Sequence, residues 1–284
     1  MPAQVQQMSD YRAASAAPQQ VQIGITEITS GDERFLEAYK VLTADIAPEY
    51  VETPDFLRNR LSIREQMMQG SYTPQSEEDA RIAQAFNAGY NLTFKVAYRQ
   101  DTGEIIGGEL KSLVPLMGTK DAALEFGSYG ATKEAYRGHG INSALSKAAS
   151  EALENYANAI GRNIIAVVGE TERDNQYNTL DISASKGLRV LDLDYYQYNE
   201  ADPSKPAKLE FLVKFNGEAP GVIEQNRVNA GFVDLMLRSI IELEYIEKPE
   251  ESVAYQLTRK SMEGREFIGY RTEATSETEE QKAA

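Results

Sequence analysis

The N-terminal part of the chain alternates between strand-like and helix-like hydrophobic patterns. Residues 21–28 (VQIGITEI) alternate apolar and polar side chains, as half-buried strands do. Ser30, followed three residues later by Glu33, predicts a capping box that opens a helix extending through Ala44. Residues 50–88 carry an interrupted helical pattern. We expect this helical insert to form one wall of a substrate pocket.

Three strand-like segments follow the insert and predict the centre of a sheet. Residues 91–98 and 104–114 are joined by an Asp-Thr-Gly turn, which is typical of an antiparallel hairpin. Residues 121–132 form the third segment, which contains Gly127 and Gly130. Because glycine inside a strand often marks a bulge or a close approach of another backbone, we expect one of these features at Gly127 or Gly130.

A glycine-rich turn runs directly into an amphipathic helix in the segment 135–145, AYRGHGINSAL. Apolar residues then recur at helical spacing as far as Ile160. A strand, a glycine turn and a helix N-terminus in this order present bare backbone N–H groups, and the helix dipole adds partial positive charge. We therefore expect residues 137–142 to hold the phosphates of a nucleotide-like cofactor.

The segments after this helix predict a second group of strands. Residues 163–168 read as a buried strand that ends at Gly169-Glu170. A short helix is predicted at about 178–186, and further strands are predicted at 188–198 and 209–215.

The last part of the chain predicts a long amphipathic helix over residues 222–243. Its apolar stripe packs on the rest of the chain or, as the alternative, forms the seam of a homodimer. We expect residues 217–271 to form a helical extension packed on a domain of residues 21–216. Residues 1–20 are Gln/Ala/Ser-rich and residues 272–284 are polar and acidic, and both predict disordered tails.

Composition and charge narrow the possible chemistry. The chain of 284 residues has no cysteine, which excludes disulfides, thiolate metal sites and a cysteine nucleophile. Its one histidine, His139, lies inside the glycine turn, so we expect neither a Ser-His-Asp triad nor a metal site. The net charge of −15 disfavours nucleic acid and anionic membranes. It favours a cationic substrate or, as the alternative, only keeps the protein in solution. Without a membrane-spanning apolar run or a signal-peptide core, the sequence predicts a cytoplasmic protein.

These motifs resemble the GCN5-related N-acetyltransferase (GNAT) superfamily. The family signature, Arg/Gln-x-x-Gly-x-Gly/Ala between a central strand and a helix, corresponds here to Arg137-Gly138-His139-Gly140-Ile141-Asn142. Residues 132–136 resemble the family's lead-in V-x-P-x-Y, and the resemblance covers about residues 21–216. It implies an α+β (mixed α/β) fold, in which helices flank a mostly antiparallel central sheet.

Two positions depart from the family pattern. Asn142 replaces the last Gly/Ala of the signature, and its side chain alters the approach to a pyrophosphate or donates a hydrogen bond to it. When Gly187 is aligned with the family's Gly-Phe pair, Ser183 takes the place of the tyrosine that commonly protonates the leaving thiolate. Tyr177 is the candidate substitute for that general acid.

The resemblance implies acetyl-CoA, or another acyl-CoA, as the co-substrate. The backbone amides of residues 137–142 hold the pyrophosphate in this interpretation, and the side chains of Lys133 and Arg137 reach its phosphates. The alternative for both cations is a solvated position on the surface. His139 is expected to be an exposed turn residue rather than a base.

The implied reaction also needs a donor for the thioester carbonyl and a base for the amine. A backbone amide of the central strand, from Ala131 or Thr132, is expected to polarise the carbonyl. A carboxylate, often acting through water, is expected to deprotonate the amine. Glu125 on the strand before the turn, Glu170 at the end of the neighbouring strand and Glu109 on the hairpin compete for this role. The alternative for each is a structural or surface carboxylate.

The sequence therefore predicts a GNAT-type N-acetyltransferase that transfers an acetyl group from acetyl-CoA to a primary amine of a small molecule or peptide. The direct attack of the amine is assisted by a carboxylate. Two alternatives stay open. One is a catalytically inactive CoA-binding sensor or interaction module of the same fold, and the other is a different nucleotide-binding α/β protein, which would need parallel strands.

Overall fold

The computed structural model describes residues 22–46, 51–172, 183–197, 202, 204–217, 221–246 and 248–271. The predicted tails, and Tyr177 with most of the predicted helix at 178–186, lie outside these ranges. Within the described ranges, no helix combines the length and the apolar character that a membrane span requires.

An eight-stranded sheet in the order β1-β2-β3-β4-β5-β8-β6, with β7 also paired to β8, forms the centre of the molecule. Its strands are β1 Ile23–Glu27, β2 Asn91–Arg99, β3 Ile105–Pro115, β4 Ala122–Thr132, β5 Asn163–Thr171, β6 Arg189–Val190, β7 Tyr195–Gln197 and β8 Ala207–Phe215. Every pairing is antiparallel except that of β4 with β5. The predicted mostly antiparallel sheet is confirmed.

Helices cover both faces of this sheet. They are α1 Phe35–Thr43, α2 Pro54–Met68, α3 Glu77–Asn87 and α4 Ile141–Ala159. A Cβ on Gly107 would meet Ile141 and Leu145 of α4, whereas a Cβ on Gly108 would meet Leu42 of α1. Because successive strand residues face opposite sides, α4 and α1 lie on opposite faces.

The predicted capping box at the start of α1 is wrong. The helix begins at Phe35, and its N-cap residue Arg34 makes no side-chain cap. Ser30 instead bonds to Glu65 of α2, with its N–H 2.8 Å from Oε1 and its Oγ 2.6 Å from Oε2. The side chain that was expected to cap α1 therefore ties the β1–α1 connection to α2.

A bulge in β4 precedes an opening in the sheet. Leu110 pairs with Tyr129 and Lys111 with Gly127, so Ser128 is an extra residue in β4. The bulge therefore lies next to Gly127, while Gly127 and Gly130 themselves are paired with β3. Parallel pairing of β4 with β5 ends at Gly127 and Gly169. Beyond it β4 stays paired with β3, and β5 with β8. We call the opening between residues 128–132 and residues 170–171 the fork.

The predicted helix over residues 222–243 is wrong in its first third. β9 Ile223–Glu224 and β10 Arg227–Asn229 form a hairpin there. Gln225 and Asn226 both have positive φ, 48° and 64°, as the tightest hairpin turns require. Helix α5 then runs over Ala230–Leu243, and the side chain of Asn229 accepts a hydrogen bond from Phe232 N–H at 3.1 Å.

The remaining extension consists of α6 Val253–Ser261 and β11 Phe267–Gly269, and β11 pairs with β10. The apolar stripe of α5 is buried within the chain, since Val233, Met236 and Ile240 are at most 1% exposed. The stripe therefore packs on the rest of the chain, which is the first of the two predicted arrangements.

Candidate functional site

The glycine turn before α4 presents an open helix N-terminus. Gly138 and Gly140 have φ of 81° and 76°, a left-handed conformation that favours glycine, and open space surrounds both. Gly140 is the N-cap, no side chain caps the helix, and its first turn holds no acidic residue. Ala144 makes the first helical bond, to the Gly140 carbonyl, so the preceding amides have no partner within the helix.

The rest of the predicted turn fits this arrangement. Ile141 is buried and packs with Ala97 and Ile106, which anchors the start of α4 to the sheet. Asn142 is half-buried in the first turn, and the turn itself is exposed. The Nδ1 atom of His139 lies 3.2 and 3.0 Å from the carbonyl oxygens of Tyr136 and Arg137. These local contacts are typical of a residue in a turn. A free, positively polarised helix N-terminus is a suitable site for a pyrophosphate.

Both predicted phosphate-binding side chains are paired with carboxylates. Arg137 Nη2 lies 2.5 Å from Asp45, just beyond α1, and Arg137 Nε donates to the Thr132 carbonyl at 3.0 Å. Lys133 Nζ lies 2.9 Å from Glu104. A cleft of about 410 Å³ beside the turn is lined by Arg137, Lys133 and residues of α1. A phosphate that bound Arg137 would therefore compete with Asp45.

The backbone of β4 directs alternate amides toward the fork. Lys133 N–H bonds to the Ile106 carbonyl at 2.9 Å, so this position faces β3. Because backbone groups alternate along an antiparallel pair, the amide of Ala131 also faces β3, and those of Thr132 and Gly130 face the other side. This alternation favours Thr132 over Ala131 as the donor to a carbonyl placed in the fork.

Glu125 lies away from the fork, in a buried network beneath α4. Lys111 Nζ is 2.7 Å from Glu125 Oε1, and Ser150 of α4 donates to the same oxygen at 2.8 Å. Ser146 Oγ lies 2.8 Å from the same lysine nitrogen. Because Lys111 pairs with this carboxylate and α4 covers it, these contacts favour a structural role for Glu125 over that of a base.

Glu109 belongs to the same face of the sheet as Glu125. Its carboxylate lies 3.8 Å from Lys111 Nζ and next to the Cα of Gly130. Burial raises the pKa of Glu109 to about 7, against the opposing effect of Lys111. Glu109 is only 7% exposed, so it has little contact with solvent or with a ligand.

Glu170 lies in the fork itself, as the first β5 residue beyond the last β4–β5 pair. Tyr245 Oη lies 2.8 Å from each of its carboxylate oxygens, and Tyr195 Oη donates to Oε1. Burial raises the pKa of Glu170 to about 7; the two phenol hydrogen bonds lower it, and the charge of Glu244 raises it. A half-buried carboxyl with a pKa near 7 is suited to accept and release protons at neutral pH.

A second polar cluster ties the extension to the bulge of β4. Glu244 Oε1 accepts a hydrogen bond from Ser128 at 3.2 Å and lies 3.3 Å from Arg60 Nη2. Its Oε2 accepts from Tyr90 at 2.8 Å, and Arg60 also pairs with Glu52 at 2.9 Å. Burial raises the pKa of Glu52.

The sequence predicted Glu170 but neither tyrosine that contacts it. Tyr195 lies in the tyrosine-rich segment LDLDYYQYN, which is a weak signal, and Tyr245 directly follows the apolar stripe of α5. No local pattern brings residue 245 next to residue 170, because the path of the extension decides it. Of the other predicted site residues, Ser183 is helical, and Tyr177 lies outside the described residues.

This arrangement defines the class of the fold. A central strand with a bulge leads through the glycine turn into α4, the next strand is parallel to it, and the two strands part where the helix N-terminus opens. The chain therefore has the fold of the GNAT superfamily, as the sequence predicted.

Comparison with known proteins gives structural matches. No protein-family model matches the chain, and no curated protein matches it by sequence. The chain is similar to a subunit in the NatC complex bound to Gag peptide and CoA, with 14% identity and a TM-score of 0.43 over 69% of this chain and 99% of the other. It is also similar to Ard1 from Thermoplasma volcanium, with 15% identity and a TM-score of 0.41 over 69% and 99%. A third match is the ribosomal-protein-S18-alanine N-acetyltransferase from Escherichia coli, with 12% identity and a TM-score of 0.40 over 72% and 99%.

Proposed function

We propose that the protein is an acyl-CoA-dependent N-acyltransferase that acetylates a primary amine of a small molecule or peptide. The observation that carries this proposal is the exposed, uncapped N-terminus of α4, reached through Gly138 and Gly140 and adjoining the fork that holds Glu170. Backbone amides there suit a pyrophosphate, and the fork suits the reacting end of an extended cofactor.

Each part of the site has a role in this proposal. Acyl-CoA, when bound, supplies the activated acyl group as a thioester. The amides of residues 138–142 bind its pyrophosphate, and Arg137 adds a charged hydrogen bond once it leaves Asp45. The amide of Thr132 polarises the carbonyl that receives the attack.

Glu170 is the proposed base because the acceptor must lose a proton before it attacks. An alkylamine with a pKa of about 10.4 is neutral in only about one molecule in 10³ at pH 7, which corresponds to roughly 4–5 kcal/mol. Glu170, with a pKa of about 7, takes that proton directly or through water.

The charge around the fork supports a cationic acceptor. Glu170, Glu244 and Glu52 lie in the two polar clusters on this side of the sheet, and Arg60 is the one cation that contacts them within the described residues. The net charge of −15 adds a long-range attraction for amines.

One alternative function keeps the cofactor but not the chemistry. Ser183 stands where the family's tyrosine, the usual general acid for the leaving thiolate, is expected. The absence of that acid favours a CoA-binding sensor or interaction module as the second candidate.

Two measurements separate these functions. Thermal unfolding with and without acetyl-CoA tests cofactor binding, and thiol release from acetyl-CoA across a panel of amines tests transfer. The proposal predicts a higher unfolding temperature with acetyl-CoA and amine-dependent thiol release that Glu170→Gln abolishes. Stabilisation without release for any amine would support the binding module, and no stabilisation at all would contradict both.

A further inference from the structure

The contacts of Tyr245 leave one oxygen of Glu170 open to a proton. Tyr195 donates to Oε1, whereas Tyr245 Oη lies 2.8 Å from both oxygens. A phenol has a single hydrogen, so Tyr245 can donate to only one of the two at a time. Within the described residues, Oε2 has no hydrogen-bond partner other than this shared hydroxyl. Oε2 therefore accepts fewer hydrogen bonds than Oε1 and is the oxygen better placed to take a proton from an amine or a water molecule.

The backbone that follows α5 holds Tyr245 in this position. The N–H groups of Glu244 and Tyr245 both donate to the Ile240 carbonyl, at 2.8 and 3.2 Å. Ile246 then has a φ of 55°, a left-handed conformation that β-branched residues rarely adopt. Its side chain is buried, and Arg81 of α3 donates to its carbonyl at 3.3 Å. The surrounding packing therefore maintains a strained turn directly after Tyr245.

Two consecutive residues of the extension contact both strands that border the fork. Glu244 accepts a hydrogen bond from Ser128, the bulge residue of β4, and Tyr245 binds Glu170 of β5. Phe126 packs edge-on against the Tyr245 ring, with centroids 6.4 Å apart. The extension thus contacts the fork through side chains with fixed orientations.

We propose that Tyr245 is a positioning residue that orients the Glu170 carboxylate and sets the pH at which Glu170 accepts a proton. The C-terminal extension is then a part of the active site rather than an appendage to it. This inference rests on the proposed function of Glu170 as the base.

The groups that face Glu170 come from the elements packed around it. Tyr195 belongs to β7, and Glu244 and Tyr245 follow α5. Tyr129 of β4 lies near Tyr245. The two phenols stabilise the ionised carboxylate, and the charge of Glu244 disfavours it. Loss of the Tyr245 hydroxyl therefore moves the ionisation of Glu170 to higher pH.

The matched variants are Tyr245→Phe and Tyr255→Phe. Tyr255 is also a tyrosine of the extension that donates to a carboxylate, Asp234, at 2.6 Å, and it contacts neither Glu170 nor the fork. Acetyl-CoA binding, kcat and KM are measured from pH 5.5 to 9.5. In Tyr245→Phe we expect the acid limb of kcat/KM to move up by about one pH unit. We also expect kcat at pH 7 to fall about fivefold with the KM for acetyl-CoA unchanged, because the ionised fraction of Glu170 falls from about one half to about one tenth. Tyr255→Phe should match the parent protein.

A second readout needs no turnover. The difference in unfolding temperature between proteins with and without Glu170→Gln is followed over the same pH range. The difference should stop changing above about pH 7 in the parent background, because the folded-state pKa of Glu170 marks the upper end of the pH-dependent range, and about one unit higher in the Tyr245→Phe background. An unchanged upper end in the Tyr245→Phe background would overturn the positioning role, whether or not transfer occurs. If the upper end moves but no amine is acetylated, the proposed function fails while the link between Tyr245 and Glu170 stands.

Discussion

Lys111 and Glu125 form a buried ion pair between the sheet and α4, with Nζ and Oε1 2.7 Å apart. Both side chains are about 5% exposed, and serines of α4 complete the network. The pair therefore fastens the helix that presents the glycine turn to the strands beneath it. The same ion pair engages the carboxylate of Glu125, which is a leading candidate for the base in the sequence analysis.

Breaking this pair should destabilise the fold. Lys111→Met leaves Glu125 without its partner, and we expect it to lower the free energy of unfolding by about 3–5 kcal/mol. The double variant Lys111→Met/Glu125→Leu also removes the buried carboxylate that has lost its cation. It should therefore recover most of the lost free energy of unfolding. Urea denaturation followed by circular dichroism measures both. A loss below about 1 kcal/mol in Lys111→Met would contradict the account of this network.

The two candidate carboxylates should differ in catalysis. Glu170→Gln removes the proton acceptor in the fork, and we expect a loss of transfer rate of about 10²–10⁴-fold with acetyl-CoA binding retained. Glu125→Gln, compared per folded molecule, should keep most of the activity because Glu125 lies beneath α4. Steady-state thiol release measures the rates, and calorimetric titration measures the binding. The reverse order of effects would assign the base to Glu125.

Asp45 should weaken cofactor binding because it pairs with Arg137. Asp45→Asn removes the negative charge that competes with phosphate for the guanidinium, and we expect the affinity for CoA to rise about two- to fivefold. Arg137→Ala should weaken binding instead. Asp101→Asn, which removes the exposed partner of Arg99, is the matched control and should leave binding unchanged. Isothermal titration calorimetry measures the affinity of each variant for CoA. Equal affinities in all three variants would show that Arg137 does not bind the phosphates.

Stability should fall as the pH rises through 7. Burial raises the pKa of Glu109 and of Glu170 to about 7 in the folded protein, above the value of an unfolded glutamate. The stabilisation from these protonated groups is complete below about pH 4.5 and is lost as the pH rises through 7. Unfolding temperatures between pH 5 and pH 9 should therefore decline less in Glu109→Gln and Glu170→Gln than in the parent. Identical slopes would show that neither carboxyl is protonated in the fold at neutral pH.

Local patterns predicted most of the sheet and α4. The segment ending at Thr132, the glycine turn and the helix from Ile141 each follow rules that act within a few residues. The hairpin at residues 223–229 was missed because its two-residue turn, Gln225-Asn226, carries no glycine and the apolar spacing continues into α5. The cap at Ser30 failed for a non-local reason, since Glu65 bonds to that serine.

The candidate site follows from the sequence only in part, for the same reason. Glu170 is a candidate in the sequence because it ends a strand, and the turn is a candidate because glycine and helix signals are adjacent. Tyr245 is separated from Glu170 by 75 residues, and its contact depends on the turn at Ile246. The pairing of Glu125 with Lys111 depends on strand register and on the burial of α4, which a single sequence does not specify.

The proposed function requires the amides at the start of α4 to bind the pyrophosphate of CoA. Backbone amide NMR during a titration with CoA reports on each of these groups separately. Gly138, Gly140, Ile141 and Asn142 should show the largest shift changes, followed by Thr132 at the edge of the fork. Saturable shifts confined to other parts of the molecule, with these amides unmoved, would contradict the proposed function.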